Sequence, residues 1–526
     1  MNKYLLAAAS VAALVADTRA DYRDWCGWTE LAARIGAENV PDGTDVIIGQ
    51  VEAADGNGRY VAFDNSSIPA EFDGKFIAKR SGGTNSPSSH ATMVGRKCYS
   101  LEDGIASGVT FINAWTVNSW KASGYMHSGQ GAGTPPDEAM GAQKIWNHAW
   151  VGTTGNTEAD HDLLRRLDWV VSRDDVIVVV GLNNSDQQQP LLSYGFNTIA
   201  VGRRDGEHAS GDVPAGYDGA GRMKPDITGP LFTTSEATAT ISAAAAILVQ
   251  QVRDDESLPV EAEAPEVVKA ILMVSASHSG VSGGTWTNSA VEDGNERGLT
   301  DRPLDATVGA GHLDVNQSHL VMSAGQQPGA ASGEAPAGLA GWSLETISPD
   351  EQRSWLIESA GTTAEFSALI TWNRVVANNF GSFTLADMDL ELLRLTANGE
   401  ISTLIGVRGV DSFDGGNIAS RSTVDNVEHL FITGLQPGRY ILQITRPDGD
   451  SGGDSGGDDI PVGIAWYGSD PVIDADVDGD ASIGVLDLLE LLRRWGSCDL
   501  CGADLDGSGM VDAVDLYLLI DAWLAP

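Results

Sequence analysis

The strongest constraint on the fold is a set of short segments that are apolar on both faces, in the first three hundred residues. Residues 176–180 read Val-Ile-Val-Val-Val, and similar runs alternate with helical patterns such as 162–171. A strand without a polar face must be covered on both sides, as happens in parallel sheets flanked by helices. We therefore predict a doubly wound parallel α/β sheet over residues 21–324.

The pattern changes after residue 324. Residues 325–338 show no hydrophobic period and are rich in Gly, Pro and Ala, which is typical of a linker. Short alternating segments with β-turn signals follow at 366–372, 434–444 and 462–466. Regular alternation with Pro-Gly turns predicts an antiparallel β-sandwich over residues 339–470.

An internal repeat of 28 residues occupies the segment 471–526. Asp residues recur in each copy at loop positions one, three and twelve, just before an amphipathic helix. Oxygen ligands at alternate positions, closed by a carboxylate from the helix, surround a hard cation as in an EF-hand loop. The predicted Ca²⁺ ligands are Asp476, Asp478, Asp480 and Asp487 in the first copy, and Asp504, Asp506, Ser508, Asp512 and Asp515 in the second.

This pair of loops resembles a type I dockerin, a small all-α module built as an EF-hand pair. The resemblance implies that Ca²⁺ is a cofactor and that a cohesin-type scaffold protein is a partner. We expect the first loop to bind Ca²⁺ more weakly, because Gly484 stands at its position nine. A calcium-stabilised cap without any partner is the alternative.

Charge excludes other partners. The 526 residues carry 32 basic and 73 acidic side chains, a formal net charge of −41. Such a chain is repelled by nucleic acid and by anionic lipid surfaces. The sequence has no internal run of eighteen apolar residues, so it predicts no membrane span. We therefore expect neither nucleic acid nor a membrane as a partner.

The first residues predict export. A short basic start precedes an apolar run at 5–16 and small residues before Asp21, which is typical of a signal peptide over residues 1–20. The mature protein is then secreted, extracellular or on the cell surface. An even number of cysteines favours disulfides in such a protein, and Cys26–Cys98 with Cys498–Cys501 is the simplest pairing. Free thiols remain the alternative.

Three segments of the α/β unit carry groups suited to nucleophilic catalysis. An apolar strand at 46–51 leads into Glu52, His90 precedes a helix of small residues, and Ser235 opens an alanine-rich helix. Their chain order, acid then His then Ser, is that of subtilisin. The unit resembles a subtilisin-like serine protease. Further segments match the family in order, at 178–183, 197–202, 224–227, 268–273 and 309–314, with 147–152 in place of its substrate-binding strand.

The resemblance implies a role for each residue. Ser235 is the nucleophile, His90 the general base, Glu52 the acid that orients it, and Asn183 the oxyanion donor. The family carries Asp where this chain has Glu52, so Asp55 is an alternative acid, and Glu236 follows the nucleophile where the family has Met.

These features predict a secreted serine endopeptidase that hydrolyses protein or peptide substrates. The first alternative is a catalytically impaired domain that serves as a peptide-binding or structural module of a cell-surface or cellulosome-like assembly. A component of a polysaccharide catabolic assembly is suggested only by the dockerin resemblance.

Overall fold

The structure is a computed structural model. It describes residues 21–524 except 132, 139–142, 281–284, 397, 407–410, 448–458, 471–473, 479–481, 499–500 and 507. The predicted signal peptide at 1–20 and the predicted ligand Asp480 lie outside the described residues. Within the described chain, no helix is both long and apolar enough to cross a membrane.

The first unit is built around a seven-stranded parallel sheet. Its elements are α1 (Tyr22–Trp25), α2 (Trp28–Ile35), β1 (Ile47–Glu52), β2 (Phe76–Lys79), α3 (Ser89–Tyr99), β3 (Phe111–Thr116), α4 (Val117–Ser119), β4 (Ile145–His148), α5 (Thr157–Asp174), β5 (Ile177–Gly181), β6 (Ile199–Arg203), β7 (Gly211–Asp212), β8 (Met223–Lys224), β9 (Ile227–Gly229), α6 (Thr234–Asp254), α7 (Pro265–Val274), β10 (Leu299–Thr300) and α8 (Val315–Ser323). The sheet order is β2-β3-β1-β4-β5-β6-β9.

Both faces of this sheet are buried, as the apolar strands predict. In β5, Val178 and Val180 belong to the apolar cluster shared with α5, whereas Ile177 and Val179 belong to the cluster shared with α6 and α7. The alternation along a strand therefore sends successive side chains into two different cores. The predicted parallel α/β sheet is confirmed.

The second unit consists of two sheets with an apolar cluster between them. Most of their strand pairs are antiparallel, so the prediction of antiparallel sheets is also confirmed. The strands are β11 (Ala335–Ala337), β12 (Ala340–Ile347), β13 (Gln352–Ser359), β14 (Thr363–Trp372), β15 (Val375–Val376), β16 (Phe383–Thr384), β17 (Asp389–Leu395), β18 (Ile401–Ser402), β19 (Gly415–Asn417), β20 (Ala419–Ser420), β21 (Val427–Leu435), β22 (Gly438–Thr445) and β23 (Ile460–Gly468). One sheet has the order β10-β20-β17-β22-β13-β11, with β18 paired to β17, and the other has the order β12-β23-β14-β21-β19. Strands β15 and β16 pair with each other separately.

The segment 325–338 differs from the predicted linker. Strand β11 pairs in parallel with β13 at the sheet edge, and Ala330 exchanges two backbone hydrogen bonds with Ser354. Proline is tolerated on an edge strand because one side of that strand needs no N–H donor. A high content of Pro and Gly therefore did not exclude regular pairing here.

The two units also share a core. Trp342, Leu369 and Ala465 of the sandwich belong to the same apolar cluster as helix α7. The Arg374 guanidinium of the sandwich also lies 2.5 Å from the buried Asp168 carboxylate of α5. Loss of either partner would leave an unpaired buried charge and destabilise the protein, so this contact favours the observed arrangement of the two units.

The C-terminal segment contains α9 (Val485–Arg493), β24 (Gly496–Ser497), β25 (Met510–Val511) and α10 (Ala513–Leu524). Cys498 and Cys501 form a disulfide, in agreement with the second predicted pair. Cys26 and Cys98 are free and buried, so the first predicted pair is wrong. Cys26 lies where α1 meets the start of α8, whereas Cys98 belongs to α3 beside Lys75, and burial raises the pKa of each thiol to about 12.

Candidate active site

Three elements of the α/β unit bring the predicted catalytic residues to one edge of the sheet. Glu52 is the last residue of β1, which lies between β3 and β4. His90 is in the first turn of α3, whose N-cap Ser88 accepts a hydrogen bond from the Ala91 amide. Ser235 is in the first turn of α6, capped in the same way by Thr233. Parallel strands end at a common edge, which is where ligands bind in open α/β sheets.

The three side chains form one hydrogen-bonded chain. His90 Nδ1 lies 2.7 Å from Glu52 Oε2, and His90 Nε2 lies 3.0 Å from Ser235 Oγ. The Glu52 side chain is 1% exposed, whereas the His90 side chain is 41% exposed. A buried acid, an imidazole bridging two partners and an accessible hydroxyl are the arrangement that activates a serine for nucleophilic attack.

Electrostatics favour a basic imidazole. The hydrogen bond with Glu52 raises the pKa of His90 above its ordinary value, and the nearby charge of Glu236 adds to the effect, while burial opposes it. A more basic imidazole is better able to accept the serine proton, and it is protonated at a higher pH.

Asp55, the alternative acid, is engaged elsewhere. Its carboxylate accepts hydrogen bonds from the backbone amides of Asn57 and Arg59 and from Arg59 Nε at 2.6 Å. These contacts close a tight turn after β1. The contact to His90 is made by Glu52.

Asn183 and Asn184 differ in what their side chains contact. Asn183 Nδ2 donates to Ser185 Oγ and to the Gln187 carbonyl, so its amide closes its own loop. Asn184 instead accepts the Thr234 amide N–H through Oδ1 at 2.8 Å, one residue before Ser235. Its Nδ2 and the Ser235 amide have no acceptor among the described residues. Asn184 is therefore the amide that lies beside the start of α6, whereas the role predicted for Asn183 stays a prediction. The doublet is visible in the sequence, but its spacing alone does not select one member.

The predicted substrate strand at 147–152 is divided in two. Asn147 and His148 belong to β4 and pair with both β1 and β5, so their backbones are unavailable. The next residue lies at the site, because Ser235 Oγ is 3.4 Å from the Ala149 carbonyl. The part after the end of β4 is therefore the part of this segment that lies beside Ser235.

Two acidic clusters lie in the C-terminal segment. Asp476, Asp478 and Asp487 place one carboxylate oxygen each within 4.8 Å of the others. Asp504, Asp506 and Asp515 do the same in the second copy. Each cluster joins positions one, three and twelve of a predicted loop.

Not all predicted ligands join the second cluster. Asp512 Oδ1 accepts the Val514 amide at the start of α10, and Ser508 Oγ donates to the Met510 carbonyl. Asp512 therefore lies outside the cluster of Asp504, Asp506 and Asp515, and the difference in affinity between the two loops stays a prediction. Asp504 Oδ1 is buried without a hydrogen-bond partner among the described residues. An orphaned carboxylate oxygen beside two further carboxylates fits an oxygen-coordinated cation such as Ca²⁺.

Comparison with known proteins gives matches among solved structures. No protein-family model matches the sequence, and no curated protein matches it. A serine protease from Aeromonas sobria, solved with its chaperone, is 12% identical, with 81% of this chain and 87% of that chain covered and a TM-score of 0.34. A protease from Pseudoalteromonas arctica is 15% identical, with coverage of 54% and 92% and a TM-score of 0.30. A cold-adapted subtilisin-like serine proteinase is 16% identical, with coverage of 46% and 86% and a TM-score of 0.31. At such low identities and TM-scores, the functional argument rests on the geometry of this chain.

Proposed function

We propose that the protein is a serine endopeptidase that hydrolyses peptide bonds through Ser235, His90 and Glu52. The observation that carries the proposal is the continuous hydrogen-bonded chain from Glu52 Oε2 through the imidazole to Ser235 Oγ. One His near one Ser occurs often in proteins. A buried carboxylate on the far side of the imidazole orients the ring and stabilises its protonated form, which is what a catalytic pair requires.

The reaction follows from this geometry. Ser235 Oγ attacks the substrate carbonyl while His90 Nε2 takes its proton, and Glu52 stabilises the resulting imidazolium. The tetrahedral oxyanion accepts hydrogen bonds from the Ser235 amide and from Asn184 Nδ2. His90 then returns the proton to the leaving amine, and the acyl-enzyme is hydrolysed by water activated at the same imidazole.

An extended substrate suits the openness of the site. His90 is substantially exposed, and the chain beyond the end of β4 passes the Ser235 hydroxyl at Ala149. The exposed Val151 side chain continues this edge. An open site of this kind suits an extended polypeptide better than a small substrate, which is usually bound in an enclosed pocket.

A serine-directed fluorophosphonate tests the proposal. The wild-type protein should be labelled at Ser235, as mapped by mass spectrometry, and should cleave an unfolded protein substrate. Ser235→Ala and His90→Ala should each abolish labelling, whereas Ser257→Ala, at an exposed serine outside the site, should not. A folded wild-type protein that neither reacts nor cleaves would favour the alternative of an impaired peptide-binding module.

The acidic clusters support a second part of the proposal, in which the C-terminal segment binds two Ca²⁺ ions. Asp476, Asp478 and Asp487 would hold one ion. Asp504, Asp506 and Asp515 would hold the other. Bound Ca²⁺ supplies positive charge that offsets the repulsion among three close carboxylates. Removing the Ca²⁺ should therefore lower the stability of this segment and leave the serine chemistry unchanged.

The exposed faces of the two helices support a docking role. Leu489 and Leu492 of α9, and Tyr517 and Ile520 of α10, are exposed apolar side chains at equivalent positions of the repeat. Exposed apolar patches of this kind mark protein interaction surfaces. We propose a cohesin-type scaffold protein as the partner of an exported enzyme. Calorimetric titration of the full chain with a cohesin-type domain tests this. Absent binding would favour a cap without a partner, whereas binding that does not depend on Ca²⁺ would contradict the calcium part of the proposal.

A further inference from the structure

A buried polar side chain lies directly behind the catalytic acid. Gln50 is two residues before Glu52 on β1, so both side chains leave the strand on the same face. Gln50 Nε2 donates to Glu52 Oε1 at 2.8 Å, which is the oxygen that His90 does not contact. Gln50 is 2% exposed and Glu52 is fully buried. Each carboxylate oxygen therefore has its own buried partner.

The orientation of the Gln50 amide is fixed by its surroundings. Its Nε2 also donates to the Ala91 carbonyl at 3.1 Å, so both hydrogens of the amide meet acceptors. A flipped amide would place Oε1 against a carboxylate and a carbonyl, both of which only accept. On the other side, Tyr99 OH donates to Gln50 Oε1 at 2.6 Å. In this orientation, both hydrogens on Gln50 Nε2 and the Oε1 atom have hydrogen-bond partners.

Helix α3 makes room for this contact with a glycine. A Cβ added at Gly95 would lie 2.8 Å from Tyr99 OH and 2.9 Å from its Cζ. The tyrosine ring folds back over the preceding turn, the usual direction of long side chains on a helix. Gly95 costs about 1 kcal/mol of helix stability relative to Ala. Its position allows the Tyr99 hydroxyl to reach Gln50.

We propose that Gln50, held by Tyr99, is a positioning residue that fixes the Glu52 carboxylate for its contact with His90. The inference rests on the proposed function. A glutamate has one more rotatable bond than an aspartate, so its carboxylate needs a second contact to keep one orientation. The chain Tyr99–Gln50–Glu52–His90 supplies that contact through buried hydrogen bonds.

A change in pH dependence separates this role from a merely structural one. The charged groups that face His90 are Glu52 on β1 and Glu236 on α6. The hydrogen bond with Glu52 is the largest cause of the raised pKa of His90. Without Gln50 the Glu52 carboxylate loses its fixed orientation and this bond weakens, so the pKa of His90 should fall. The low-pH limb of kcat/KM should then move to lower pH.

The experiment compares Gln50→Met and Tyr99→Phe with the wild-type enzyme over a range of pH. Gln50→Met keeps the volume and removes the donor, and should lower kcat/KM by about tenfold or more, since a 1 Å misplacement can cost roughly 10². Tyr99→Phe should change both quantities in the same direction by less. Tyr440→Phe is the matched control, because it removes a buried hydroxyl that donates to the Gln436 carbonyl in the sandwich, far from the site.

The outcomes are distinct. A Gln50→Met enzyme with a wild-type rate and an unmoved pH limb would overturn the positioning role. A lower rate with an unmoved limb would also overturn it, because general loosening of the fold lowers activity without changing the pKa of His90. A wild-type protein that is inert to the fluorophosphonate would instead refute the proposed function. If Gln50→Met does not fold, the NMR titration of His90 in Tyr99→Phe decides, and an unchanged pKa refutes the role.

Discussion

The proposed catalytic cluster differs from the two acidic clusters in how the chain brings its residues together. His90 and Ser235 are 145 residues apart in sequence, and the sheet brings them into hydrogen-bonding distance. Asp504, Asp506 and Asp515 lie in a single loop and the first turn of the helix that follows it. A local site can be predicted from spacing alone, whereas a long-range site depends on a correctly predicted fold. The long-range site also contains supporting contacts that no spacing reveals.

The largest expected effect tests the long-range site. Glu52→Gln keeps the shape of the side chain but removes the charge that stabilises the imidazolium. We expect turnover to fall roughly 10³–10⁴-fold, as measured for a comparable change of acid to amide. Asp55→Asn is the matched control, since Asp55 contacts Arg59 and not His90. If the Asp55 variant loses activity while the Glu52 variant keeps it, the assignment of the acid is wrong.

The next effect tests which asparagine faces the reaction. Asn184→Ala should lower kcat about 10²–10³-fold with little change in KM, because an oxyanion donor acts in the transition state. Asn183→Ala removes a neighbouring amide of the same size, whose contacts are with Ser185 and Gln187. Steady-state kinetics of both variants measure the contrast. Equal losses in the two variants would mean that the loop as a whole matters and that neither amide is a specific donor.

The local site is tested by metal removal. Ca²⁺ at a hundred times its Kd should stabilise the C-terminal segment by about 2.7 kcal/mol, which slows amide exchange about a hundredfold. Hydrogen exchange of the full chain, read at Leu505 and Asp506, measures this, because both amides donate to Asp515 Oδ1. Asp515→Asn should weaken the protection, whereas Asp512→Asn should keep it. Exchange that is indifferent to chelator would remove the calcium proposal.

The sequence predicted most of the framework for physical reasons. Strands such as β5, apolar on both faces, can only be buried in a sheet covered on both sides, and the structure has that sheet. The repeat predicted the two carboxylate clusters because the ligand positions of each loop lie close together in the sequence. Within the predicted linker, strand β11 joins a sheet edge, because a composition rich in Gly and Pro does not exclude strand pairing.

The remaining parts of the site depend on three-dimensional contacts. Asn183 and Asn184 are adjacent, and only the loop after β5 decides which amide meets Thr234 at the start of α6. Gln50 and Tyr99 lie 49 residues apart and carry no motif. A polar residue inside an otherwise apolar strand is the signal that singles out Gln50, since a buried amide requires partners.

The smallest expected effect concerns Glu236, whose charge lies beside His90. This carboxylate accepts a hydrogen bond from Thr233 Oγ1 at 2.8 Å, so it is held near the nucleophile. Its negative charge contributes to the raised pKa of His90. The imidazole must be neutral to accept the serine proton, so activity is lost as the pH falls through this pKa. Glu236→Gln should therefore lower the pKa and move the low-pH limb of kcat/KM to lower pH. A shift of about half a unit is expected, because partly exposed charge pairs contribute 0.2–1 kcal/mol.

Salt and a matched variant sharpen this last test. Ionic strength of 1 M shortens the screening length to about 3 Å, so the difference between Glu236→Gln and wild type should shrink there. Glu358→Gln removes an exposed carboxylate in the sandwich and should leave the limb in place. A limb that moves to higher pH in Glu236→Gln would contradict the sign of the electrostatic effect. It would mean that Glu236 acts on the orientation of Ser235, through the cap it forms with Thr233, more than on the charge of His90.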